Sequence, residues 1–218
     1  MLAGRFLRRE NRFRAAVWVD GEEVAAHVPS PGRLAELLVP GAPVWVAPRD
    51  GAHRRTPCDL LLVERGDAFV SIDSRLPNAL YAEALRAGRA RMDGYDRITP
   101  EVPLGASRLD FRLDGPAGTC WVEVKSVTLV EDGVARFPDA PTARGRRHVE
   151  ELATAVGVGA AAAIVFIVQR PDAYVVAPHQ RNDPAFARAL REAAARGVVL
   201  RAYRCHVGLE AIAIDDEI

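Results

Sequence analysis

Lysine is almost missing from this chain. Of 29 basic residues in 218, one is lysine, Lys125 in the segment WVEVKSV, and the other 28 are arginine. Acidic residues also number 29, for a formal net charge of zero. That balance excludes a uniformly basic protein that coats nucleic acid, although a local basic groove stays compatible with it. Cysteine is scarce: Cys58, Cys120 and Cys205 are far apart and odd in number. This excludes a disulfide framework and the close ligand spacing of a zinc site, and fits a reducing compartment. The longest apolar run, residues 160–168, has nine residues, about half of what a membrane span requires. No signal-type apolar stretch precedes the first arginines, so a cytoplasmic location and no membrane partner are expected. No G-x-G-x-x-G, P-loop or nucleophile elbow is present, which argues against a small-molecule α/β enzyme.

Apolar residues make up 49% and charged ones 27%, ordinary values that suit one large domain or two small ones with a real core. Two textures follow one another. Residues 1–76 read as short strands, at 12–19 and 23–28 joined by Asp20-Gly21, then 44–47, 59–64 and 68–72, with a short helix expected at 33–38. Five strands and one small helix predict an OB-like small β-barrel that binds nucleic acid. Residues 77–218 alternate helices and strands, which predicts an α/β domain with a central mixed sheet. Asn78 is expected to cap a helix reaching residue 87, and Thr142 to open another whose Val149, Leu152, Ala153 and Val156 repeat at helical spacing. Strands are expected near 97–104, 107–114, 119–126, 161–169, 173–177, 198–205 and 208–214, a hairpin turn at Asp132-Gly133, and a helix over 184–196.

The chemistry concentrates in SRLDFRLDGPAGTCWVEVKSV, residues 107–127. With Gly115-Pro116-Ala117-Gly118 as a hairpin loop, Asp114 faces Thr119 and Asp110 faces Glu123. One face then carries Leu109 with Val124, Phe111 with Val122 and Leu113 with Cys120; the other carries Arg108 with Lys125, Asp110 with Glu123 and Arg112 with Trp121. A slip of one residue would destroy this sorting. Two carboxylates directly opposite stand roughly 5 Å apart and repel. A divalent cation between them relieves the repulsion, and hard oxygen ligands suit Mg²⁺ or Mn²⁺. Lys125 lies on the same face as Glu123, placed to orient a nucleophilic water or to stabilise charge on a phosphate. It is also the one position where the chain does not use arginine, whose flat, permanently charged fork is no substitute for a compact ammonium. The alternative stays open that Asp110 and Glu123 pair with Arg108, Arg112 and Lys125 as a solvated charged face.

Further candidates surround this centre. Glu101 or Glu83 could be a third acid, and Gln169 ends the buried strand where a polar group can reach a site. Arg144, Arg146, Arg147 and His148 crowd a helix start, which favours phosphate. An N-terminal arm with Arg5, Arg8, Arg9, Arg12 and Arg14, interleaved with Phe6 and Phe13, suits a nucleic-acid backbone with stacked bases.

Five segments then show a resemblance that runs nearly end to end: SRLDF at 107–111, EVKSVTL at 123–129, FPDAPTARGRRHVEEL at 137–152, FIVQR at 166–170 and NDPAFARAL at 182–190. The chain resembles the sugar fermentation stimulation protein A (SfsA) family. The resemblance implies an OB-type domain followed by a restriction-endonuclease-like domain of the PD-(D/E)xK class, and a DNA/RNA nuclease activity. It carries the nuclease motif onto Asp110, Glu123 and Lys125, with Glu101 matching a family glutamate. Where the family has PNTG after a histidine, this chain reads His27-Val28-Pro29-Ser30-Pro31-Gly32. The expectation is therefore a metal-dependent nuclease acting on DNA and/or RNA, in which Asp110 and Glu123 hold Mg²⁺ or Mn²⁺ and the Val124 carbonyl completes the inner shell. Glu101 and Gln169 assist, and Arg12, Arg14, Arg108, Arg144 and Arg147 hold nucleic acid. The rival is a non-catalytic DNA-binding regulator of sugar metabolism.

Overall fold

The structure is a computed structural model that describes residues 1–218 except Ala52. Its first sheet contains β1 (Leu2–Asn11), β2 (Arg14–Val19), β3 (Glu22–His27), β4 (Pro43–Pro48), β5 (Cys58–Arg65) and β6 (Ala68–Ser71). They hydrogen-bond in the order β3-β2-β1-β4-β5-β6, and a parallel β3–β5 pairing closes the first five strands into a barrel. Asp20-Gly21 makes the β2–β3 turn with positive φ at both residues, +50° and +88°, the conformation a two-residue hairpin needs. Inward residues Phe6, Val17, Val44, Val46, Leu60 and Val70 fill the barrel, each at most 1% exposed.

Two expectations for this half are corrected. Residues 1–11 are not a free arm but strand β1, because Phe6 is core and the arginines are tied down. Arg9 donates to the carbonyls of Arg12, Ser30, Gly32 and Arg33, and Arg8 pairs with Glu23. Residues 33–38 form a hydrogen-bonded turn instead of a helix. Leu34 sits at φ +52° there, a left-handed geometry no helix contains, so that Leu34, Leu37 and Leu38 cap the barrel.

The second half has α1 (Leu76–Arg86), β7 (Arg97–Leu104), β8 (Ser107–Gly115), β9 (Gly118–Val127), β10 (Val130–Glu131), β11 (Val134–Phe137), α2 (Ala143–Gly157), β12 (Ala161–Val168), β13 (Val175–Pro178), α3 (Pro184–Ala195), β14 (Val199–Val207) and β15 (Ile212–Glu217). The mixed sheet runs β15-β14-β12-β9-β8-β7, with β9, β12 and β14 parallel at its centre. Strand β12 is covered on both faces, which is why AIVFIV reads as a continuous apolar run. Ala163, Val165 and Ile167 face α1 with Tyr81 and Phe111, whereas Ala162, Ile164 and Phe166 face α2 and α3 with Leu152 and Phe186. A small sheet β10-β11-β13 extends the second of these layers. Thr142 caps α2 through Gly145 N–H (2.9 Å) and Asp183 caps α3 through Phe186 N–H (2.9 Å). The three cysteines are free and buried, and burial pushes the Cys120 and Cys205 thiols up to about 12. Among the described residues no helix is long and apolar enough to cross a membrane.

Candidate functional site

The β8–β9 hairpin has the register that the loop residues imply, from Gly115 opposite Gly118 to Phe111 opposite Val122. Asp110 and Glu123 stand one step beyond the last of these pairs. There the ladder gives way to a side chain: Asp110 Oδ2 accepts the Val124 N–H (2.8 Å). The departure has a consequence for packing. Phe111 and Leu113 join the core under α1, but Leu109 joins the core under α2 and α3, so the clean sorting expected for Leu109 fails at the step where the strands part. Opposite this step on β7, Glu101 takes φ +56° between paired neighbours Pro100 and Val102.

Glu123 is 4% exposed and Lys125 9%, which rules out the solvated charged face. Both lie on the side of β9 shared with Trp121 and Val127, against the layer containing α2. Lys125 Nζ donates to Glu123 Oε1 (2.5 Å). His148, one helical turn beyond Arg144, reaches the same oxygen through Nδ1 (2.5 Å). Arg144 Nε donates to His148 Nε2 (3.4 Å), which leaves the ring proton on Nδ1 for Glu123. Glu123 Oε2, by contrast, is buried with no partner. Asp110 Oδ1 accepts from Asn78 Nδ2 (2.8 Å).

The two acids are driven apart electrostatically. Burial, and then the Glu123 charge, raise the Asp110 carboxyl above the ordinary aspartate range against the Val124 and Asn78 hydrogen bonds. Burial pushes Glu123 up as well, but His148 and Lys125 together bring it below the ordinary glutamate range. Two neighbouring carboxyls thus sit in unlike environments.

These residues fit a hard cation. An ionised carboxylate that has lost water needs a partner for each oxygen, and Glu123 Oε2 has none. Each Asp110 oxygen keeps a second lone pair beside its hydrogen bond. Among the described residues no group of three His, Cys, Asp or Glu side chains could hold a metal ion. Two carboxylates with waters and substrate phosphate completing the shell is the arrangement Mg²⁺ favours.

Of the site, Val124 and Lys125 line a cleft of 540 Å³ between barrel and sheet, where they meet Arg12, Arg136 and Arg144. Of the expected nucleic-acid residues, Arg12 and Arg144 come together here. Arg14 lines a neighbouring cleft on the barrel. Arg147 is anchored to Ser107 Oγ (3.1 Å), and Arg108 pairs with Glu101 (2.7 Å). Glu101 is therefore engaged at an exposed ion pair, and Glu83 is likewise exposed and paired with Arg89 (2.7 Å); neither contacts the two acids. Gln169 is fully buried and clasps the two halves, accepting from Ser71 Oγ (3.1 Å) and donating to Ser126 Oγ (2.9 Å). Ser126 is the residue that follows Lys125 on β9.

Two residues of the site escaped the reading of the sequence. Asn78 is not a cap: α1 starts two residues earlier with Pro77 in its first turn, which frees the Asn78 amide for Asp110. His148 stood among arginines as a helix-end cation, and its signal was the four-residue spacing from Arg144 that puts both on one face.

An OB-type barrel joined to a restriction-endonuclease-like mixed sheet, with an aspartate and an E-x-K triplet under a basic cleft, defines the class of protein. Residues 7–72 match the model of the SfsA N-terminal OB domain and residues 75–211 that of the sugar fermentation stimulation protein RE domain. The chain belongs to the SfsA family. It is 50% identical over 211 residues to a sugar fermentation stimulation protein homolog of Moorella thermoacetica, covering 95% of this chain and 90% of the relative. To the homolog of Symbiobacterium thermophilum it is 47% identical, covering 100% and 93%. The solved structure of Pyrococcus furiosus SfsA in complex with Ca²⁺ matches with a TM-score of 0.88 at 33% identity, covering 100% of this chain and 94% of that one.

Proposed function

We propose that this protein is a metal-dependent nuclease that hydrolyses phosphodiester bonds in DNA or RNA and binds the strand without sequence preference. The observation that carries the reading is Glu123 Oε2, buried without a partner while the same side chain binds Lys125, which lines a basic cleft. The Ca²⁺ in complex with Pyrococcus furiosus SfsA is a hard cation of the kind such oxygens select. A bound Mg²⁺ or Mn²⁺ would supply Lewis acidity toward a phosphoryl oxygen and acidify a water.

The chain's own residues do the rest. Asp110 and Glu123 are the holding carboxylates, with the Val124 carbonyl as a further oxygen donor. Lys125 spends one of its three N–H donors on Glu123 and has two for the attacking water or a phosphate oxygen. His148 and Asn78 fix the two carboxylates in place, and such supporting partners normally matter nearly as much as the ligands. Arg12, Arg136 and Arg144 offer charge to flanking phosphates.

The test is cleavage of labelled single-stranded, duplex and hybrid substrates with Mg²⁺ or Mn²⁺ present. Lys125→Ala and Asp110→Asn should each lose on the order of 10²-fold or more in rate; undiminished cleavage by both variants refutes the assignment. Binding that persists in EDTA, with no product under any metal, would make the protein a regulator instead.

A further inference from the structure

A second cleft of 480 Å³ lies on the barrel and is lined by Phe13, Arg14, His27, Arg54, Arg55 and Arg75 among others. Nothing in the chemistry at Asp110 and Glu123 uses it. Its composition is unusual for a barrel surface. Phe13 is 47% exposed, yet its backbone is pinned: its N–H donates to Asn11 Oδ1 (2.9 Å) and its carbonyl accepts from Val28 N–H (2.9 Å). The ring stacks on His27 at 6.3 Å with planes 26° apart, which leaves its other face open. A half-exposed aromatic ring on an anchored backbone is a ready platform for a flat apolar group.

The cations around it are of two kinds. Arg54 pairs with Asp59, which is 1% exposed, Arg75 pairs with Asp73 (2.6 Å) and more loosely with Asp59 (3.4 Å), and Arg14 pairs with Glu10 (2.5 Å). Arg55 is exposed and, among the described residues, makes no ion pair or side-chain hydrogen bond. Two buried acids, Asp59 and Asp73, thus hold Arg54 and Arg75 at the cleft, and Arg55 remains available.

The two clefts adjoin. Arg12 lines the cleft beside Lys125 while its neighbours Phe13 and Arg14 line the one on the barrel, and Ser74 and Arg75 divide in the same way. From these placements we infer that the clefts form one track for a single strand of nucleic acid, running from the Asp110–Glu123–Lys125 centre over Arg12 to an unpaired base stacked on Phe13. The inference rests on the nuclease reading and names its substrate class. Stacking on an aromatic platform requires a base whose face is free, which a duplex interior does not offer, and it is tolerant of sequence. Arginines flanking such a platform meet the phosphates on either side. Deoxyribose and ribose strands share this chemistry, so both belong in the test.

The experiment is fluorescence anisotropy in EDTA with labelled oligo-dT, oligo-rU and a blunt duplex of about twelve nucleotides, a length within the range a single OB barrel covers. The single strands should bind about ten-fold or more tightly than the duplex. Phe13→Ala should weaken single-strand binding on the order of 5- to 100-fold, and Arg55→Ala should lower the salt dependence by about 0.7 in log-log slope. Tyr174→Ala, which removes another exposed ring far along the chain in the second domain, is the comparison and should bind as the unsubstituted protein does. Equal or tighter binding of duplex, or single-strand binding indifferent to both Phe13→Ala and Arg55→Ala, overturns the track. Cleavage in Mn²⁺ separates the two ideas: cleavage together with variant-indifferent binding sinks the track alone. Variant-sensitive binding with no cleavage under any metal supports the track and sinks the nuclease.

Discussion

Asp110 and Glu123 oppose each other electrostatically, and replacing Asp110 by asparagine exposes the size of that opposition. Two full charges roughly 5 Å apart repel by about 3 kcal/mol at an effective dielectric near 20. Lys125 and His148 offset part of it at Glu123, so a net strain on the order of 1 kcal/mol is expected. In Asp110→Asn the amide oxygen still accepts the Val124 N–H, and Asn78 can turn its own oxygen toward the new NH₂, so geometry is kept. Because the folded-state pKa of Asp110 is raised, folding favours its protonated form, and stability falls as pH rises from the unfolded value through the folded one. The variant should therefore melt slightly higher than the parent at neutral pH in EDTA, with the advantage gone below about pH 4. On the proposed metal binding, Mn²⁺ should reverse the order. At a hundred times Kd, Mn²⁺ adds about 2.7 kcal/mol to the parent, or about 5–10 °C in Tm for a chain of this size; Asp110→Asn should lose most of that increment. Thermal unfolding followed by fluorescence over a Mn²⁺ series measures both. No Mn²⁺ shift in the parent, or an equal shift in the variant, would refute the reasoning.

Other outcomes follow from the same geometry. His148→Ala removes a hydrogen bond to Glu123 and should weaken Mn²⁺ binding about 10- to 100-fold by calorimetry, with partial recovery in His148→Asn, which keeps a donor near the Nδ1 position. Gln169→Leu strands the Ser71 and Ser126 hydroxyls at the junction of the two halves and should cost about 2 kcal/mol in urea unfolding. Glu36 has a raised pKa caused first by burial, and its Oε1 has no partner. Glu36→Gln should thus add on the order of 1 kcal/mol at pH 7, an advantage that shrinks as pH falls toward the unfolded glutamate value, where both side chains are neutral.

Much of this architecture was legible in the residues. Asp20-Gly21, Asp132-Gly133 and the Gly115–Gly118 loop each demand a tight turn, and they fixed three hairpins. The hairpin register followed from parity, because a slip would have put Arg112 and Asp114 into the core that holds Leu113. Elsewhere a local pattern was overruled. RLAELL has good helix propensity, and Leu34, Leu37 and Leu38 would share one face of a helix, but with Leu34 at φ +52° the segment closes only as a turn, and the three leucines reach the barrel core from it. The arginines of residues 1–14 look free in one dimension, and only the pairing of β1 with β2 and β4 shows that most are spent on carbonyls and acids. The last strand begins at Ile212, four residues beyond the expected start, because Gly208 N–H bonds the Ala211 carbonyl and the loop takes those residues.

The sequence by itself determined the two halves, the hairpin that brings Asp110 near Glu123, and the single ammonium two residues farther on, since all of these are fixed by spacing along one or two adjacent strands. The tertiary structure decided which groups complete the site. His148 arrives from α2, Asn78 from α1 and Arg12 from the barrel, and Gln169 clasps the barrel to the sheet. Contacts between elements far apart in the chain depend on how layers pack, and no local periodicity encodes them. The same packing removes water from Glu123 and leaves one of its oxygens without a partner.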